Sequence, residues 1–170
     1  MTSNQLWKRL TSMATRWGAK VEAVSRPEPE MSLATYFGRH RDFYIFTPGA
    51  PIGLLYRQKK IVYWKDTRPS WDILLHEMAH LFASRRNPLS CNEYQFLGWE
   101  YALALRLGCA QRFMKRYKSY WVDYTAPEDR ILYHEIGDMP VKVKRKFFRA
   151  RLAHATRRGL VRLGAPVRVR

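Results

Sequence analysis

Cysteine is nearly missing from this chain, with only Cys91 and Cys109 among 170 residues. On one continuous helix they would lie about 27 Å apart, too far to bridge, and their spacing matches no metal motif. That excludes a disulfide framework and makes a reducing, cytoplasmic setting the simple expectation. Long apolar runs are missing too. None reaches the roughly 18 residues that a membrane-spanning helix needs. Near the start, Lys8, Arg9 and Arg16 interrupt what would have to be the apolar core of a signal peptide. The segment reads instead as an amphipathic helix over 3–18, with Leu6, Leu10, Met13 and Trp17 on one stripe that packs on the domain. Internal repeats and low-complexity segments are also lacking outside the C-terminal end.

Acidic residues are scarce as well, 14 against 31 Lys and Arg, for a net charge of +17. From residue 139 onward there is none at all, while Lys142, Lys144, Arg145, Lys146, Arg149, Arg151, Arg157, Arg158, Arg162, Arg168 and Arg170 crowd together. Such a block attracts polyanions, nucleic acid foremost, in a salt-dependent way. Phe147, Phe148 and Leu152 are interleaved with the charges. Pro140 can start a helix and Gly159 stop it, so one face can dock while the other stays charged. Lys142, Lys144, Arg145, Lys146 and Arg149 are the candidate nucleic-acid contacts, and Arg112, Lys115, Arg116 and Lys118 are positioned to extend the same surface. The competing reading is a solubilising tail.

What is present is a chain of one-domain size, 46% hydrophobic and 14% aromatic, enough to bury a core. A body over 1–138 and a basic extension over 139–170 divide it by composition. Within the body, Leu74-Leu75-His76-Glu77-Met78-Ala79-His80-Leu81-Phe82 reads HExxH inside an apolar helical pattern. On a helix, residues four apart stand on one face, so both imidazoles can reach one tetrahedral zinc ion. Glu77 beside them carries a carboxylate able to take a proton from water at that metal. Two histidines and a glutamate in an otherwise apolar helix need partners, because unpaired buried polar groups are costly.

A catalytic zinc takes three protein donors. Residues 92–105 read as a second helix, stopped by Gly108 and joined to the first by the short polar loop 84–90. Two helices so connected pack antiparallel, which brings residues 96–100 level with His76 and His80. Glu100 lies at that level, and Glu93 stands seven residues earlier on the same face. Glu100 is the favoured third ligand, with Glu93 as the alternative or as an outer partner. Asp72, four residues before His76, can orient that imidazole, or can simply cap the helix with Ser70. Tyr133 and His134 are candidate donors to an oxyanion.

HExxH followed by a glutamate on the next helix resembles the gluzincins, and the His80-to-Glu100 separation is similar to that of thermolysin-like enzymes. Short HExxH domains with a Glu-rich helix also resemble ImmA/IrrE-type peptidases of phages and mobile elements, a pattern that admits Glu93 as the ligand. The resemblance covers about residues 60–107. It implies an α+β zincin-like fold, in which a small mixed or antiparallel sheet packs on the HExxH helix and a following antiparallel helix. It also implies a zinc metallopeptidase acting on protein or peptide substrates, in a phage-related setting. A metzincin would need Gly at 83 and His at 86, where this chain has Ala83 and Arg86. SprT-like proteases use a later His-Gly, and none of the five histidines here precedes a glycine. A nucleic-acid-binding or phage structural or regulatory protein with a structural or inactive zincin site is the alternative.

The remaining elements read as a linker over 25–30, strands over 35–38 and 42–46, and a further strand over 60–64 leading into the motif helix. Residues 57–64 are the candidate edge strand for an extended peptide.

Overall fold

The computed structural model describes residues 1–40, 42, 44–46, 51–83, 93–116 and 138–156. Within them the chain is a mixed α+β fold. Helix α1 (Ser3–Arg16) leads into strand β1 (Lys20–Val24), and the short helix α2 (Leu33–Gly38) precedes β2 (Tyr44–Phe46), β3 (Ile52–Leu55) and β4 (Lys60–Trp64). Helices α3 (Trp71–Ala83), α4 (Glu93–Arg106) and α5 (Val141–Thr156) come after the sheet. Residues 110–116, after the left-handed Gly108 (φ 68°) that ends α4, are helical as well.

The four strands are ordered β1-β4-β3-β2, with β1 parallel to β4 and the other pairs antiparallel. Strand β4 is therefore interior, hydrogen-bonded to a neighbour on each side. Residues 57–64 cannot be the edge strand expected from sequence, because the ladder positions that a peptide would use are taken.

Both faces of the inner strands are covered. Ile52, Leu54 and Ile61 belong to the main core, with α1, α3, α4, residues 110–116 and α5. Leu55, Val62 and Trp64 point to a second cluster, with Met31, Leu33 and Phe37 around α2. The period-2 alternation of a strand is present in space but invisible in composition, since both faces call for apolar residues. That is why β3 was not legible in the sequence. Strand β1 also escapes sequence reading.

The expectation of a strand over 35–38 is overturned. Ser32 caps a helix there, its Oγ accepting from the Thr35 N–H at 3.1 Å, and Leu33 and Phe37, four apart, bury one face. Local capping wins over the β propensity of Thr, Tyr and Phe.

Helix α1 behaves as its stripe predicts. Thr2 and Gln5 form a reciprocal capping box, and Leu6, Leu10 and Met13 are buried against the domain. Helix α5 is not a free extension over its described length. Phe148 is fully buried, stacked on Tyr101 of α4 (centroids 5.5 Å apart) and edge-on to Phe113 (5.6 Å). No helix among the described residues is long and apolar enough to cross a membrane.

Candidate metal centre

Helix α3 is apolar on every side, and residues 71–79 are all buried. Its polar members must therefore find partners inside the protein. Pro69 and Ser70 precede the helix, and Asp72 occupies its first turn. Asp72 is buried, and its Oδ2 accepts from Arg116 Nε at 3.1 Å. Its described ion pair is thus with residues 110–116, across 44 positions that no local pattern could bridge.

One turn on, the helical period brings His76 and His80 together as expected. Their rings are perpendicular (89°), with centroids 4.7 Å apart, and the two Nε2 atoms face each other at 3.2 Å. Two nitrogens bound to one tetrahedral zinc at 2.0–2.1 Å would stand roughly 3.3–3.4 Å apart. The observed separation is close to that distance. It also fits a hydrogen bond in which the two rings share one proton.

Helix α4 supplies the next piece. Glu100, 1% exposed, sets its Oε1 3.1 Å from His76 Nδ1. The level match between the two helices is therefore as the loop length predicts. The carboxylate, however, meets the ring nitrogen opposite the one that faces His80. Accepting from Nδ1–H, Glu100 would hold the tautomer whose Nε2 lone pair points toward His80. Its second oxygen, Oε2, is buried with no hydrogen-bond partner among the described residues. Nor, among those residues, are any three His, Cys, Asp or Glu side chains gathered closely enough to hold a metal ion. Glu93 is the first residue of α4, but its side chain lies outside the described residues, as do Tyr133 and His134 altogether.

Glu77 is the most exceptional group. It is 0% exposed, and neither carboxylate oxygen has a hydrogen-bond partner among the described residues. Burial pushes its carboxyl well above the usual range. Burial first, then the nearby Asp72 and Glu77, does the same to Glu100. Both histidines move the other way. Burial, then His80, holds His76 well below its ordinary value, and burial brings His80 down to about 4. At neutral pH the imidazoles are uncharged and keep the lone pairs a cation requires. Three acids, Asp72, Glu77 and Glu100, are thus buried on α3, which carries the neutral histidine pair, and on α4 beside it, Glu100 against His76 and Asp72 against Arg116.

No protein-family model, curated protein or solved structure matches this chain.

Proposed function

We propose that this chain is a zinc-dependent hydrolase of zincin-like architecture, acting on peptide bonds. The observation that supports it most directly is the pair of facing Nε2 atoms, 3.2 Å apart, beside a carboxylate buried without a hydrogen-bond partner among the described residues. A buried carboxylate without a partner is costly unless a cation or a proton neutralises it, and a cation would serve the facing nitrogens as well. His76 and His80 would hold the zinc, and Glu100 keeps the His76 ring in register through Nδ1. A carboxylate on Nδ1 cannot also reach an ion at Nε2, so the third donor is Glu93, or Glu100 once it has left Nδ1.

Bound there, zinc would polarise a scissile carbonyl and acidify a water molecule. Glu77 takes a proton from the attacking water and returns it to the leaving amine, a role for which its burial is suited. A carboxyl with its affinity for protons raised by burial is a better base than a solvated one. Removal of bulk water from around Glu77 also strengthens its interaction with the charge that develops nearby.

Zinc per chain, measured on purified wild type, His80→Ala, Glu100→Gln and Glu93→Gln, tests this reading. About one zinc in wild type, lost in His80→Ala, is expected. Whichever glutamine variant also loses it identifies the third donor. A folded wild type that takes up no zinc when supplied with it would overturn the proposal.

A further inference from the structure

The sixteen residues of α5 include Lys142, Lys144, Arg145, Lys146, Arg149 and Arg151 and no acid. The fold sorts these charges by face. Lys144 turns inward, 3% exposed, its ammonium donating to the Met114 carbonyl at 3.4 Å on the same side as Phe148 and Leu152. Arg151 is half-buried, lying over the Phe147 ring. Lys142, Arg145, Lys146 and Arg149 are all exposed. They fall at helical spacings of three, four and seven, which aligns them in a stripe about 10 Å long. None of the four is ion-paired with any described residue, whereas Lys60, Arg26 and Arg116 elsewhere each have a carboxylate.

We infer that this stripe is a docking surface for the phosphodiester backbone of duplex nucleic acid, bound without reading sequence. Charge complementarity carries the choice of partner. Four cations held in line by a rigid helix match a polyanion with one charge per ~1.7 Å of its axis. A lipid surface fits less well. An interfacial helix inserts an apolar face, and the apolar face of α5 is already occupied by the core through Phe148 and Leu152. Lys115, next to the Met114 that Lys144 contacts, is exposed as well and adds charge to the neighbouring helix. The surface is independent of the His76–His80 centre, so it stands or falls separately from the hydrolase reading.

The test compares the full-length chain with two variants that each remove four exposed positive charges. One is Lys142→Gln, Arg145→Gln, Lys146→Gln, Arg149→Gln; the control is Lys8→Gln, Arg9→Gln, Lys20→Gln, Lys65→Gln. Binding to a mixed-sequence duplex of about 20 base pairs is tracked by anisotropy across salt concentrations. Each phosphate contact contributes a slope of about −0.9 in log affinity against log salt. Loss of the stripe should therefore flatten the slope by about 3 to 4 and weaken binding about tenfold or more at low salt, while the control changes little. Circular dichroism of both variants checks that α5 remains folded. Equal losses in the two variants would overturn the inference, as would a wild type that ignores the duplex. Stripe-dependent binding to phosphatidylserine-rich vesicles in place of duplex would overturn it in favour of a membrane.

Discussion

The α3–α4 interior and the outer face of α5 treat charge in opposite ways. In the interior, Asp72, Glu77 and Glu100 are buried together, and burial pushes the carboxyls of Glu77 and Glu100 well up. On α5, four exposed cations stand in solvent. A buried charge is costly and needs a specific partner, whereas an exposed one costs little and is screened by salt. The first region therefore suits a single ion or proton at a fixed point, and the second suits an extended polyanion. Lys144 and Lys146 make the contrast within one helix, two residues apart: one is enclosed against Met114, the other exposed.

Glu77→Gln gives the largest expected effect. It should lower turnover by about 10²–10⁴-fold while leaving zinc content unchanged, the range for a lost general base. Undiminished cleavage would remove Glu77 from the mechanism. In metal-free protein the same carboxylate is a burden, so Glu77→Met should be neutral or stabilising in urea denaturation. A loss of several kcal/mol there would mean that Glu77 has a structural partner.

Packing comes next. Phe148→Ala should cost about 3–5 kcal/mol, the usual range for an emptied aromatic site. Its neighbour Arg149→Gln should change stability by less than about 0.5 kcal/mol. Similar values for the two would erase the division of α5 into a docked and a free face.

The histidine pair makes stability depend on pH in the metal-free protein. His80 has a folded pKa of about 4, below its ordinary value of 6.5, so between these values the unfolded chain binds the proton and the native chain does not. Its contribution is present above 6.5 and is lost as pH falls toward 4, at up to about 1.4 kcal/mol per pH unit. Glu77, raised by burial, has the opposite sign: its contribution is present below its ordinary value of 4.5 and is lost as pH rises through its folded value. Urea midpoints of wild type and His80→Ala across this range separate the two. An identical pH profile in both proteins would remove His80 as the titrating group.

Arg116→Gln should cost about 1–2 kcal/mol. The guanidinium is 43% exposed, so solvent screens it, yet its loss leaves Asp72 buried without that partner. Restoration by Arg116→Lys would show that charge suffices; failure would show that the guanidinium geometry matters.

Much of the candidate site was legible because it is local. The four-residue spacing of His76 and His80 dictates a shared face on any helix, and the apolar residues around them dictate burial. The α3–α4 loop length and the 1.5 Å rise per residue were enough to bring Glu100 level with His76. Which ring nitrogen Glu100 meets was not legible, because it depends on how far α4 is rotated about its axis. Nor was the Asp72–Arg116 pair, which joins segments 44 residues apart. In the sheet, the strand over 60–64 was evident from its residues, but its interior place was not. A strand's neighbours depend on long-range pairing, and β1 reaches β4 only after α2, β2 and β3 have intervened.

By itself, then, the sequence determined the direct consequences of helical period and composition: the histidine pair, the apolar helix that carries it, the docking stripe of α1 and the cationic character of α5. Tertiary structure alone decided which charges face inward, which carboxylate holds which imidazole nitrogen and which strand lies inside the sheet. Those outcomes depend on contacts between residues distant in the chain, where rotation and pairing are set by the packing of the whole core rather than by neighbours in sequence.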